Sequence, residues 1–231
     1  MCGRFYLDAP DELVLTHFGL KGGIHLAPRY NIAPSQDIAI VRAGSHGREL
    51  ALARWGLVPA WSKQEKTRYS MINARAETVA EKPAYRQAFR HHRCLIPASG
   101  FYEWRKLVGG KQPYRIGMAD RSIMALAGLW ERWEGDGRSL DTCTIIVTDS
   151  NELIRPIHDR MPVMLEPDQF ERWLNPANTH TAALQGMLKP YASAGMSAWP
   201  VSRRVNNPDN DDPACMQPRS EDADGVLRED A

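Results

Sequence analysis

The chain opens Met1-Cys2-Gly3. Methionine aminopeptidase removes Met1 when the second residue is small, and cysteine qualifies. Cys2 would then carry a free α-amine and a thiol on adjacent carbons. An α-amine has a pKa of about 7.7–8.0, against about 10.4 for lysine. Roughly a third of it is therefore neutral near physiological pH, while lysine is almost wholly protonated. Only the neutral amine attacks an aldehyde. The neighbouring thiol can then attack the imine and close a five-membered thiazolidine, a ring that lysine and serine cannot form. Position alone equally admits an ordinary residue near a frayed chain end.

Three polar residues interrupt apolar or aromatic runs. Asn73 lies in M-I-N-A-R-A-E-T, Glu103 in G-F-Y-E-W, and His158 in I-H-D-R-M-P. A carboxylate between Tyr102 and Trp104 faces either solvent or a cleft that raises its pKa for acid–base work. Histidine titrates nearest neutrality and is the natural proton shuttle, although a lone loop histidine also serves as a plain hydrogen-bond partner. Arginine recurs beside each reactive candidate: Arg4 after Cys2, Arg75 after Asn73, Arg160 after His158. Two residues along a strand is the same face, and the guanidinium fork suits phosphate oxygens. The alternatives are a clamp on a nucleic-acid backbone and three solvated surface arginines. Seven tryptophans supply candidates for stacking on unpaired bases, with Trp130 and Trp133 read as core.

The elements that must position these residues are mostly strands. Strand-like runs are Gly3–Leu7, Asp37–Arg42, Glu49–Leu57, Arg93–Ala98, Phe101–Lys106, Pro113–Met118, Ser122–Trp130, Thr142–Thr148 and Ala198–Ser202, rich in Val, Ile, Tyr, Trp and Leu and bounded by turn formers. Val108–Lys111 and Glu134–Gly137 read as hairpin tips. Helices are expected at Ala9–Phe18, Ala84–His92, Pro167–Leu174 and Thr179–Leu188. Connections are mostly too short for βαβ crossovers. The expected fold is α+β, a single domain over residues 1–216 with a mostly antiparallel, barrel-like β core flanked by short helices. Residues 217–231 read as a disordered acidic tail.

With 231 residues the chain can bury a core without staples. Its formal charge of +1 excludes a histone-like polycation, so a nucleic-acid surface must be a local patch. No apolar run approaches membrane-span length, and the N-terminus lacks a signal-peptide pattern. The cysteines, Cys2, Cys94, Cys143 and Cys215, are scattered without a CxxC pair, which argues for a reducing compartment and against a disulfide framework. His91-His92-Arg93-Cys94 fits no standard zinc spacing, so no metal or other cofactor is expected.

In combination the motifs resemble the SRAP family, the SOS-response-associated or abasic-site processing proteins. The matching segments are M-C-G-R-F from Met1, R-Y-N-I-A-P from Arg29, W-G-L-V-P-A-W from Trp55, N-A-R-A-E-T from Asn73, C-L-I-P-A-S-G-F-Y-E-W from Cys94, H-D-R-M-P-V from His158, and P-V-S with V-N-N from Pro200 and Val205. They run in family order to about residue 216. The resemblance implies a positively charged cleft for single-stranded DNA and a thiazolidine cross-link between Cys2 and the ring-opened sugar of an abasic site. It makes Asn73, Glu103 and His158 the companions of Cys2 and assigns phosphate contacts to Arg4, Arg75 and Arg160. Pro34 and Trp61 match positions that wedge against or stack on DNA, with Trp104 beside them. Some members carry two tryptophans at the wedge, whereas here Ser62 follows Trp61 and opens a polar loop to Ser70.

The implied chemistry includes β-elimination at the imine as a side lyase activity, and self-removal of Met1. Two rivals stand beside it: a thiol peptidase with Cys2 as N-terminal nucleophile, and a non-catalytic single-stranded-DNA-binding protein. The expected setting is a cytoplasmic, nucleoid-associated monomer acting on abasic single-stranded DNA without a membrane. The sequence names no replication-fork partner.

Overall fold

In the computed structural model, residues 2–22, 25–65 and 71–219 are described. In chain order they form β1 (Phe5–Leu7), α1 (Asp11–Phe18), β2 (Arg29–Ile32), β3 (Asp37–Gly44), β4 (Gly47–Trp55), β5 (Asn73–Arg75), α2 (Arg86–His91), β6 (Arg93–Ala98), β7 (Gly100–Leu107), β8 (Gly110–Met118), β9 (Met124–Gly135), β10 (Arg138–Asp149), β11 (Arg160–Pro162), α3 (Phe170–Leu174), α4 (Thr181–Gln185) and β12 (Met196–Pro200). Short 3-10 turns occupy Pro167–Gln169, Arg203–Asn206 and Pro213–Met216.

Two sheets share these strands. In the first, β3 pairs with β4, β4 with β10, β10 with β9, β9 with β6, and β6 returns to β3, so five strands close into a barrel. Closure removes the free edges that open sheets expose. Beyond the barrel, the C-terminal half of β10 takes β5 on one side and β11 on the other. The second sheet is antiparallel throughout, in the order β12-β8-β7-β1-β2. This is the expected α+β domain with a barrel-like core. The pairings of β10 with β4 and with β5 are parallel, which makes the barrel mixed.

Burial follows from the apolar strands. β6 and the first half of β9 are buried on both faces, with Leu95, Ile96, Leu126 and Leu129 fully inaccessible. Each such side chain contributes roughly 1.5–3 kcal/mol. α1 and α3 cover one side, where Phe18 stacks on Phe170 at 5.4 Å. Arg93 is a buried cation satisfied by main-chain carbonyls of Phe89, Arg90, Trp173, Asn175 and Asn178, and it ties the ends of α2 and α3 together. Burial pushes its guanidinium down to about 10, which leaves it charged at neutral pH. Phe5 of β1 meets Trp55 of β4 edge-on at 5.3 Å, joining the open sheet to the barrel. The Trp55 indole donates to the Ile72 carbonyl at 2.9 Å, one residue before Asn73.

Several sequence expectations need correction. β2, β5 and β11 were not anticipated. They are three or four residues long, and N-A-R and R-M-P carry no alternation. Gly3, Arg4, Ser122 and Ile123 lie outside strands, whereas β9 and β10 extend to 12 residues each because their shared hairpin continues past the barrel. Pro167–Leu174 divides into a 3-10 turn and α3, and the predicted Thr179–Leu188 helix shortens to α4. Trp133 is core, but Trp130 is only half-buried, with the Arg42 guanidinium 4.3 Å from its ring. Gln217–Arg219 does not belong to a loose tail: Val201 bridges Pro218, and the Arg219 amide donates to the Pro200 carbonyl at 2.9 Å. The rest of the expected tail, 220–231, and residues 66–70 of the expected polar loop lie outside the described residues. Among those described, no helix is long and apolar enough to cross a membrane.

Candidate active site and nucleic-acid interface

The open sheet brings Cys2 and Glu103 together. β1 and β7 run antiparallel with Phe5 opposite Phe101, and the Tyr102 amide donates to the Arg4 carbonyl at 2.9 Å. This close approach requires Gly100, where a Cβ would collide with the Tyr6 hydroxyl and the Ile116 carbonyl. Cys2 is fully buried. Burial first, and the charge of Glu103 second, push its thiol well above the ordinary range, so it is protonated at neutral pH. Glu103 is 3% exposed, and burial pushes its carboxyl up to about 7. A group titrating there gives and takes protons with equal ease.

His158 reaches the same point from the other sheet. It follows a turn in which the Asn151 side chain accepts from the Ile154 amide at 3.1 Å and the His158 amide donates to the Ile154 carbonyl at 2.9 Å. Its Nε2 lies 4.0 Å from Glu103 Oε2. Nδ1 accepts the Arg160 amide at 3.0 Å. Asp159 Oδ1 is also 3.0 Å from Nδ1, but one lone pair cannot satisfy a donor and another acceptor. The directional amide contact decides the tautomer, and the Asp159 side chain is 85% exposed. Burial lowers the imidazole pKa, so His158 is neutral with its proton on Nε2, toward Glu103.

Asn73 starts β5, opposite Ile145 of β10. Its Nδ2 donates to the Ile72 carbonyl at 2.9 Å, which leaves Oδ1 buried without a partner among the described residues. Asn73 lines a cleft of about 560 Å³ with Trp61, Met71, Arg75, Lys82 and Tyr85. Trp61 is 67% exposed. The Trp133 indole fixes the next residue by donating to the Ser62 carbonyl at 2.9 Å. A second cavity, of about 510 Å³, is lined by Gly3, Arg4, Trp104, Lys111, Arg203 and Asn206. The Trp104 indole donates to Asn206 Oδ1 at 2.7 Å, which sets the ring as a wall.

The three arginines differ. Arg75 is exposed and makes no ion pair among the described residues. Arg160 pairs with Glu77 and Asp149. Arg4 is half-buried, and its Nη1 donates to Asn31 Oδ1 and to the Val205 carbonyl, each at 2.7 Å. The Arg4 side chain is thus an internal tie as well as a cavity wall. Pro34 sits at the β2–β3 turn, half-buried, and lines neither cavity.

Cys2, Glu103 and His158 therefore converge, Asn73 and Arg75 share the cleft with Trp61, and Arg4 and Trp104 share the basic cavity. Sequence reasoning missed Lys111 and Arg203, which add positive charge to that cavity, and Asn31 and Asp211, which fasten the C-terminal segment. Asp211 accepts from the Tyr30 and Asn31 amides, and Asn31 Nδ2 donates to the carbonyls of Val205, Asn207 and Asn210. The only hint was the polar run N-N-P-D-N-D-D close to the expected tail.

A mixed β-barrel joined to an antiparallel sheet, with a buried cysteine, a near-neutral carboxyl and a neutral histidine at the seam, defines an α+β protein with a candidate site around Cys2. The family model described as SOS response associated peptidase (SRAP) matches residues 1–208, and the chain belongs to that family. It is 46% identical over 225 residues to the abasic site processing protein YoqW of Bacillus subtilis, covering 94% of this chain and 99% of the relative. It is 33% identical over 262 residues to the abasic site processing protein HMCES of Xenopus tropicalis, covering 94% and 78%. A crystal structure of a protein from Bacteroides thetaiotaomicron superimposes with a TM-score of 0.85 at 29% identity, over 95% of this chain and all of that one.

Proposed function

We propose that this chain processes abasic sites in single-stranded DNA by covalent capture through Cys2 after Met1 is removed. The observation that carries the reading is the cluster at the seam: a carboxyl pushed up to about 7 beside Cys2, with neutral His158 4.0 Å from that carboxyl. The relatives named as abasic site processing proteins supply the substrate class.

Ring opening moves the C1 hydroxyl proton to the ring oxygen, which leaves as a hydroxyl while the aldehyde forms, and the His158 Nε2–H assists by hydrogen-bonding that oxygen without giving up its proton. The Cys2 amine adds to that aldehyde. Protonated Glu103 gives its proton to the carbinolamine hydroxyl, which leaves as water, and an iminium remains. The thiol, protonated at rest, passes its proton to the Glu103 carboxylate as the sulfur–carbon bond forms. The electron pair moves to nitrogen and Glu103 returns to its starting state. Net, the aldehyde, amine and thiol give a thiazolidine and one water. The buried Asn73 Oδ1 is an acceptor for the Cys2 amine or a sugar hydroxyl. Alternatively the Glu103 carboxylate takes a C2 proton from the iminium and the 3′ phosphate leaves with the C3–O bond pair, a β-elimination that gives the side lyase activity. Arg75 and Arg160 contact the DNA backbone, and Trp61 stacks on or wedges the strand.

A thiol peptidase needs a thiolate, and both burial and Glu103 hold the Cys2 thiol in its protonated form. A purely non-catalytic DNA binder leaves the raised carboxyl without a role. The test is a denaturing gel of mature protein, Met1-blocked protein and Cys2→Ser with an oligonucleotide carrying one abasic site. Mature protein is expected to give a band that survives denaturation. Cys2→Ser should give one only after borohydride, because its amine forms an imine but no ring. A durable cross-link from fully blocked protein, verified by intact mass, sinks the mechanism, because an amide nitrogen cannot form a Schiff base.

A further inference from the structure

Of the three arginines expected to meet phosphate, Arg160 is the one that holds carboxylates among the described residues. Its Nη1 donates to Glu77 Oε1 at 2.5 Å and lies 3.3 Å from Asp149 Oδ1. The register explains the gathering. Val147 of β10 pairs with Arg75 of β5 and with Pro162 of β11, and Asp149 pairs with Arg160. Arg75, Arg160, Glu77 and Asp149 thus collect where β10 leaves the barrel, with Asp159 adding a third negative charge beside Arg160. Arg4, Lys111 and Arg203 form no ion pair among the described residues, so the two flanks of the site differ in kind.

We propose that Glu77 is a competing anion built into the DNA interface, occupying Arg160 until a backbone phosphate displaces it. The proposal rests on the reading of Arg160 as a phosphate contact. Glu77 is 45% exposed and Asp149 76%, so both are rehydrated when released. Exposed pairs of this kind are weak, while a phosphodiester can take the guanidinium fork through two oxygens. A strand held at other points wins this exchange, and an isolated small anion does not. Glu77 thereby selects for a polyanion over free phosphate and prevents Arg160 from binding whatever anion arrives first.

The test is the affinity of mature protein for an intact single-stranded oligonucleotide, which separates phosphate binding from capture. It uses wild type, Glu77→Gln, Asp149→Asn, Arg160→Ala and the Glu77→Gln/Arg160→Ala double variant at low and moderate salt. Glu77→Gln is expected to tighten binding by about two- to fivefold at low salt, from the strength of exposed ion pairs. That gain should shrink as salt screens the internal pair and vanish when Arg160 is absent. Asp149→Asn should give a smaller gain. If Arg160→Ala binds like wild type, the phosphate role of Arg160 fails and the proposal goes with it. If Arg160→Ala weakens binding while Glu77→Gln leaves it unchanged or weaker, Arg160 keeps its role and Glu77 is a support that orients it, which overturns the proposal.

Discussion

The two sheets contribute unlike residues to one site. The open sheet supplies Cys2 and Glu103, both buried and both shifted by loss of water. The barrel side supplies Asn73, Arg75, His158 and Arg160 on or beside short strands paired to β10, where side chains are exposed or half-buried and Arg160 is paired locally. Burial is what changes a proton affinity. Exposure is what lets a guanidinium trade one anion for another. The division predicts that rate and affinity can be separated by mutating the buried Glu103 on one side and the exposed Arg75 on the other.

The largest effect is expected from Glu103→Gln, which keeps the shape and removes the proton carrier. Covalent capture should slow by roughly 10²–10⁴-fold, the usual range for general acid–base catalysis, while the affinity for intact single strands stays near wild type. The wild-type rate should peak near neutrality, since Glu103 must be protonated for loss of water and ionised for thiol attack. A rate within twofold of wild type would return Glu103 to a structural role and dissolve the contrast.

Stability offers a second separation. The folded-state carboxyl of Glu103 sits above its ordinary 4.5 at about 7. Its contribution to stability is therefore full below about 4.5 and is lost as pH rises through about 7. A change of that size is worth up to about 3 kcal/mol. Denaturant unfolding should show wild type losing stability relative to Glu103→Gln between acid and mildly alkaline pH. Parallel pH profiles for the two would mean that the carboxyl is well solvated.

The smallest effect belongs to the exposed side. Arg75→Ala should weaken binding to many sequences alike and reduce the slope of log affinity against log salt by about 0.7, one phosphate contact on a single strand. Capture at saturating protein should keep its wild-type rate. An unchanged slope removes Arg75 from the DNA interface.

What the sequence could reveal depended on distance along the chain. β6 was legible to the residue because R-C-L-I-P-A is a short apolar run between turn formers. β5 and β11 were not, because a three-residue strand is defined by the partner it meets, here β10, rather than by its own pattern. Cys2 stood out by its place after Met1, and Glu103 and His158 as polar groups in apolar or aromatic runs, and the fold gathers the three. Arg4 stood out as the arginine close to Cys2, but its ties to Asn31 and Val205, 27 and 201 residues away, were not legible. The Glu77–Arg160 pair spans 83 residues and was equally invisible, although both residues lay in motifs read for other purposes.

The tie between Arg4 and Val205 also has a consequence in time. Arg4, two places from Cys2, is fastened to a carbonyl that lies 201 residues further along the chain. On the ribosome, this stretch must wait until Val205 has been made before its final neighbours exist. The surroundings of Cys2 are therefore completed only after Val205 has been made.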